Sequence, residues 1–258
     1  MRSAAERAGY FAIGLVYLAM GYVSARIAVL GARDRDHGVL GALRFLLDRP
    51  HGAWVLGAVV AGLAAIAAAH LVQSLRGPGG AVKRIGLFVN GFGYAALAWT
   101  AARLFLHVRG ARGVRGGSNE GDGSLERAGV SWLLSESWGA AVLEIAGAAV
   151  VLGGLWEIGQ GLGLSGRLPF RRGRLPRALA KLFTAISRFG LVARGATLAA
   201  LGYFLIRAAE ALDPSAVRTV GGVLDAFAHT PLGPAFMGVT AAGLAAYGVY
   251  MAGIALAE

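Results

Sequence analysis

The sequence predicts an all-α membrane protein whose six transmembrane helices form three tandem two-helix hairpin repeats in a pseudo-threefold arrangement. Three observations carry this. Of the 258 residues, 56% are hydrophobic and 15% charged, where soluble domains average about a quarter charged. Apolar stretches of roughly 20 residues, the length a bilayer demands, recur along the chain. The chain also repeats itself at a fixed offset.

The six spans fall at 9–31, 52–75, 86–107, 138–160, 190–211 and 232–256. Arg2 and Arg7 ahead of the first imitate the basic start of a signal peptide, yet that stretch is too long for one and no A-x-A site follows, so a retained first helix is expected. The N-terminus and the even loops hold Arg2, Arg7, Arg76, Lys83, Arg84, Arg167, Arg171, Arg172, Arg174, Arg177, Lys181 and Arg188. The odd loops hold fewer cations and most of the acidic residues. The expected orientation therefore puts both termini on the cytoplasmic side. In such a chain a net charge of +11 reports loops lying against anionic lipid, and no nucleic-acid partner is expected.

At an offset of 181 residues the first and last thirds align without a gap. Gly9, Gly14, Gly21, Tyr22, Arg26, Pro50, Gly52, Gly57 and Gly62 fall on Gly190, Gly195, Gly202, Tyr203, Arg207, Pro231, Gly233, Gly238 and Gly243. The middle third follows the same frame at Arg84, Gly86, Gly91, Trp99 and Arg103, takes extra residues in its loop, and resumes at Gly139. The predicted division is a first repeat at 1–82, a second at 83–166 with a long flexible loop at 108–125, a basic interfacial linker helix at 167–186, and a third repeat at 187–258. Repeats running in one sense predict a pseudo-threefold axis along the membrane normal, unlike the inverted repeats of many transporters.

Within a repeat, a rising helix leads through a short connector to a returning helix. Leu40, Leu43, Leu46 and Leu47 share one face of the first connector, and Val220, Val223, Leu224 and Phe227 share one face of the third. Pro50 and Pro231 suit the first turn of the returning helices. The recurring glycines predict close backbone packing between helices. Residues 109–124 are glycine-rich and polar, with neither the G-K-[ST] of a phosphate loop nor the spacing of a calcium loop. From Pro176 onward Leu179, Leu182, Phe183 and Ile186 form a stripe, which predicts a helix lying in the interface. Arg171, Arg172, Arg174, Arg177 and Lys181 would then meet anionic lipid headgroups.

Arg26, Arg103 and Arg207 recur 17 residues after the first glycine of each rising helix, about 25 Å along the axis. They snorkel to the outer headgroups or form a guanidinium ring around the axis. Glu210 lies one turn from Arg207 and can neutralise it. Glu144 stands about 9 Å into the fourth helix, in the column of Gly57 and Gly238, and is expected to pair with an arginine such as Arg103 or to carry a proton. Arg194 is expected to snorkel, with Asn90 at the matching position of the second repeat. His70, Glu157 and Met251 share a column near the cytoplasmic ends and are expected to be interfacial.

Catalytic constellations are missing from the sequence. There is no cysteine, and the histidines at 37, 51, 70, 107 and 229 are too scattered for a metal motif. Gly163-Leu164-Ser165-Gly166 fits the G-x-S-G of intramembrane rhomboid proteases, but its serine and His229 lie at opposite ends of the spans. Neither an enzyme nor a cofactor is expected.

The pattern R-x-G-x4-G, [YW]-x3-R, P-x-G-x9-G in repeats one and three resembles the bacterial membrane family known as domain-of-unknown-function 1206. The resemblance implies three tandem two-helix repeats in a bacterial cytoplasmic (inner) membrane, and it brings no activity. Repeat two departs from the pattern, with Ser137 for the proline and Glu144 for the glycine. The leading functional expectation is a non-catalytic accessory or scaffolding subunit that binds a lipid or a partner within a larger membrane complex. The alternative is a small-solute, ion or proton transporter using Glu144 and the arginine ring.

Overall fold

The computed structural model describes residues 4–30, 38–77, 80–110, 124–164, 177–220, 222–223 and 233–256. Its helices are α1 (Ala4–Leu30), α2 (Gly38–Leu47), α3 (Gly52–Arg76), α4 (Ala81–Gly110), α5 (Ser124–Leu134), α6 (Gly139–Leu162), α7 (Arg177–Glu210) and α8 (Gly233–Leu256), with a 3-10 turn at Pro214–Ala216. No strand occurs among the described residues. Five helices, α1, α3, α6, α7 and α8, are long and apolar enough to cross a membrane. Helix α4 spans 30 residues but is interrupted by Lys83, Arg84, Asn90 and Arg103.

The packing runs α4 on α3, α3 on α1, α1 on α8, α8 on α7, and α7 on α6. One further contact, α6 on α4, would close this series into a ring, and among the described residues that contact is slight or absent. Helices α1, α4 and α7 begin at the end where α3, α6 and α8 finish. There Arg7 Nε donates to the Ala255 carbonyl at 3.0 Å, Gln73 donates to Glu6, and Arg84 donates to the Gly77 carbonyl.

Glycine contacts hold the series together, as the sequence predicts. A Cβ at Gly154 would stand 2.5 Å from the Gly195 carbonyl oxygen, and one at Gly202 would stand 2.6 Å from that of Gly147. The α1–α8 pair meets the same way, a Cβ at Gly14 falling 2.9 Å from the Gly248 carbonyl. Where lipid and side chains are equally apolar, such backbone approach is a main source of helix association. A larger core joins Ile13, Val16 and Met20 of α1 to Leu43 of α2, Leu56, Leu63 and Ile66 of α3, and Leu244 of α8. A smaller one, at the opposite end from the termini, joins Val130 of α5, Leu143 of α6, Ala208 of α7 and Val217.

Three local expectations change. The segment expected to lie in the interface as a separate helix continues straight into the fifth span, because no proline interrupts Arg177–Glu210. Its Ala180 and Ser187 are buried, Phe183 faces Gly253 of α8, and Leu179, Lys181 and Leu182 stay exposed. Residues 167–176, with Arg171, Arg172 and Arg174, lie outside the described residues, as do most of the 109–124 loop and residues 224–232, which include Leu224, Phe227 and Pro231. Pro50 precedes α3 in a turn rather than entering its first turn, since the helix begins at Gly52 after His51 at φ 64°. Helix α5 was not expected.

The connector α2 meets its expectation, with Leu43 and Leu46 buried. Gly163, the first residue of the protease-like tetrapeptide, ends α6 at φ 86° while the Leu164 N–H donates to the Gly159 carbonyl. This is the left-handed cap that glycine supplies at a helix C-terminus, which gives Gly163 a structural reason. Ser165 and Gly166 lie outside the described residues.

Candidate functional site

The glycine contacts bring polar side chains together inside the bundle. Where α6 and α7 meet at Gly154 and Gly195, Glu157, three residues after Gly154, forms an ion pair with Arg194, which immediately precedes Gly195. Arg194 is only 8% exposed. Its Nε donates to the Tyr17 hydroxyl of α1 at 2.9 Å, and its guanidinium lies 4.8 Å from the ring centroid of Tyr247 on α8. Tyr17 and Tyr247 meet edge to face at 4.8 Å. Tyr94 of α4 lies within electrostatic reach of Arg194 and packs at 5.6 Å on His70 of α3. All six long helices thus send a side chain to one polar centre.

Helix rise places the centre inside the termini-bearing half. Glu157 stands five residues before Leu162 and Tyr247 nine before Leu256, or about 8 and 14 Å from those helix ends. Arg194 is held by a carboxylate, a hydroxyl and an aromatic face, so its charge is compensated where an isolated one would be costly. Three buried side-chain atoms have no hydrogen-bond partner among the described residues: Glu157 Oε2 and His70 Nδ1 in this centre, and Ser24 Oγ of α1. Buried polar atoms are ordinarily paired, so Glu157 Oε2 and His70 Nδ1 are the exceptions within this centre.

The sites expected from sequence fall elsewhere. Arg26 and Arg207 are exposed and Arg103 is half-buried. Arg207 pairs at 3.4 Å with Glu210, the partner expected for it. Glu144 is exposed on α6, about 140° around the helix from Glu157. Arg194, expected to snorkel, is buried and paired. Glu157 and His70, expected at the interface, join the centre.

The signal for the centre was present in the repeat register. Tyr17 and Tyr94 occupy one column, and His70 and Glu157 another. Each lies one residue or one turn from a glycine contact or its partner: Tyr17 follows Gly14, Tyr94 follows Gly91, and His70 precedes Leu71, against which Gly91 packs. Reading tyrosines as well as charges in that frame would have found the layer. Arg194 remained ambiguous because snorkelling and internal pairing start from the same sequence position.

No solved structure matches the chain. It is similar to a Bacillus subtilis (strain 168) protein named "Uncharacterized protein YxxB", with 27% identity over 95% of this chain and 86% of that protein. The model of the Domain of Unknown Function (DUF1206) matches residues 8–77 and 189–257, two regions that begin at the same 181-residue offset as the internal repeat. Matched over more than half its length, the chain belongs to the DUF1206 family.

Proposed function

We propose that the protein is a non-catalytic integral membrane protein that binds a lipid or a membrane partner, serving as an accessory or scaffolding subunit in a bacterial cytoplasmic membrane. In this reading α4 is the sixth span, both termini face the cytoplasm, and the three hairpins surround a pseudo-threefold axis.

One observation carries the reading. In repeats one and three the first glycine of the rising helix seats its own returning helix: Gly9 packs on Gly62 and Ile66 of α3, and Gly190 on Ala246 and Tyr247 of α8. Repeat two keeps the corresponding Gly86, yet a Cβ there would meet no described atom within 4 Å. The facing positions in the same register, Ala149 and Gly153 of α6, are also small and exposed. The ring is therefore cut for close packing at one side and left open there. A bilayer molecule or partner helix has lateral access to the interior through that slot.

The alternative reading is a small-solute, ion or proton transporter using Glu144 and the ring of Arg26, Arg103 and Arg207. It has a further basis in the buried Arg194–Glu157 pair, because ionisable groups at such depth accompany transport pathways.

Extraction from native membranes in mild detergent followed by native mass spectrometry tests the proposal. A stoichiometric lipid or protein that survives washing and is lost in Gly86→Trp supports it. A bare chain, or a retained molecule indifferent to Gly86→Trp, refutes lateral binding.

A further inference from the structure

Between the polar centre and the termini, α1, α3 and α4 enclose a second set of polar groups, away from the lateral slot. His70 of α3 lies six residues before Arg76, the last residue of its helix, or about 9 Å inside that end. Its ring packs at 5.6 Å on Tyr94 of α4, and its Nδ1 is buried without a hydrogen-bond partner among the described residues. Three residues on, and so on the same face of α3, Gln73 donates to the carboxylate of Glu6 on α1, whose charge reaches His70. Arg7, next to Glu6, donates to the Ala255 carbonyl of α8. The first turns of α1 thus tie α3 to α8, and the tie to α3 is a carboxylate standing one helical turn from an unsatisfied imidazole nitrogen.

We propose that His70 is a proton-binding site with Glu6 as its counter-ion: a proton taken from water at the termini-bearing end makes the imidazolium, and the Glu6 carboxylate leaves the Gln73 amide to accept from Nδ1–H. One proton is gained, and its charge is met by a carboxylate already in place. A neutral imidazole has one N–H and one acceptor nitrogen, whereas the imidazolium donates from both. As the ring sits, a proton on Nδ1 would have no acceptor, and a buried charged donor left unmet is costly. The groups around it select Glu6. From α4 come the Tyr94 ring, whose face suits a cation, and Arg84, held by the Gly77 carbonyl. From α1 come Glu6 and Tyr10, the latter within reach of Tyr94. Helix α2 meets α3 at the opposite end, through Leu43 and Leu56. Beyond Tyr94, Arg194 and Glu157 hold each other, and protonating Glu157 would leave Arg194 buried and uncompensated. Glu6 is bonded to a neutral amide, so its transfer to His70 breaks no ion pair with Gln73.

The transfer moves the anchor of α1 by three residues, about 4.5 Å along α3 toward the bilayer interior. Arg7 holds α8 from the adjacent position, so both contacts of the first turns of α1 feel the change. The termini-bearing end of the bundle thereby has two arrangements, selected by a side chain whose ordinary titration falls near neutrality.

The test uses the full chain in lipid bilayers, isotope-labelled in the histidine and glutamine side-chain nitrogens and the glutamate carboxyl carbons. Solid-state NMR spectra are compared at about pH 8 and about pH 5, on either side of the ordinary histidine value. The His70 signals are identified by their loss in His70→Asn. In the alkaline sample the Glu6 carboxyl carbon should couple to the Gln73 amide nitrogen. In the acid sample both His70 nitrogens should be protonated, the Gln73 coupling should be lost, and a coupling to His70 Nδ1 should replace it. Gln73→Leu removes the partner of the neutral state and should leave the acid coupling between Glu6 and His70 intact. A His70 that stays neutral in the acid sample overturns the proton site. A protonated His70 with Glu6 still coupled to Gln73, or an acid coupling that is lost in a folded Gln73→Leu variant, overturns the transfer of the carboxylate.

Discussion

Gly154 of α6 and Gly195 of α7 touch backbone to backbone, and that contact sets Glu157 against Arg194 inside the bundle. A side chain at either glycine would hold the helices apart and lengthen the ion pair. Small residues here do more than pack. They bring two formal charges within reach of each other in a medium that tolerates neither alone.

The pair should therefore respond asymmetrically to substitution. Glu157→Ala leaves Arg194 buried and uncompensated, and is expected to cost about 3–5 kcal/mol. Replacing both, as Glu157→Leu with Arg194→Met, removes the charges together and should recover most of that loss. Thermal unfolding in detergent of the two single variants and the double variant measures the coupling. A double variant as unstable as Glu157→Ala alone would show that the pair is not the source of the cost.

The open side of the ring makes the three equivalent glycines unequal. A Cβ at Gly9 would stand 2.5 Å from the Ile66 Cβ and 2.9 Å from the Gly62 carbonyl, whereas one at Gly86 meets nothing described. Gly9→Ala should thus destabilise by about 1–3 kcal/mol through overpacking. Gly86→Ala should be neutral or gain up to about 1 kcal/mol from helix propensity. The order of melting temperatures among Gly9→Ala, the unaltered protein and Gly86→Ala checks this. The reverse order would mean that α4 and α6 are in contact in the membrane.

How much was legible beforehand follows from what kind of signal each feature leaves. Five of the six expected spans, the glycine contacts and the buried face of α2 are written as local periodicity, and the structure follows them. The continuity of α7 was hidden because a basic amphipathic stretch reads alike whether it lies on lipid or packs along α8, and Phe183 against Gly253 decides it. Glu144 attracted notice because it replaces a glycine in its column, but a column specifies register along the helix more firmly than it specifies which neighbour is present. In that column only Gly57 meets a neighbour, the Phe105 ring of α4, while a Cβ at Gly238 meets no described atom within 4 Å and Glu144 is exposed.

Past the end of α7, Leu212 adopts φ 51° and is 65% exposed, while the Asp213 N–H donates to the Ala208 carbonyl. Leucine is strained at this left-handed cap, so Leu212→Gly should stabilise by about 1 kcal/mol. That is a rise of about 2 °C in melting temperature for a chain of this size. An unchanged or lower melting point would show that the exposed leucine makes an interfacial contact outweighing its strain.

Asp213 caps the following turn, accepting from the Ser215 N–H at 2.8 Å and from its hydroxyl at 2.7 Å. Those two donors hold its carboxyl below the ordinary aspartate range. A carboxylate depressed in the folded state contributes its capping above the unfolded pKa and loses it as pH falls through the folded value. Amide exchange at Ser215 and Val217, corrected for intrinsic rates, should therefore stay slow at neutral pH and accelerate only in strongly acid solution. Asp213→Ala should show the fast exchange at every pH, and an identical acid acceleration in that variant would assign the effect to another group.

The last expectation separates the two glutamates of α6. Glu144 is exposed and lies on a different face from Glu157, which is paired and turned inward. Glu144→Gln is therefore expected to change stability by no more than about 0.5 kcal/mol, as substitutions away from buried networks do. Glu157→Gln removes the carboxylate charge facing the buried Arg194 and should lower the melting temperature well beyond any change seen in Glu144→Gln. A large effect at Glu144 with none at Glu157 would move the functional centre to the outer half of α6, and with it the face of the helix that meets a partner.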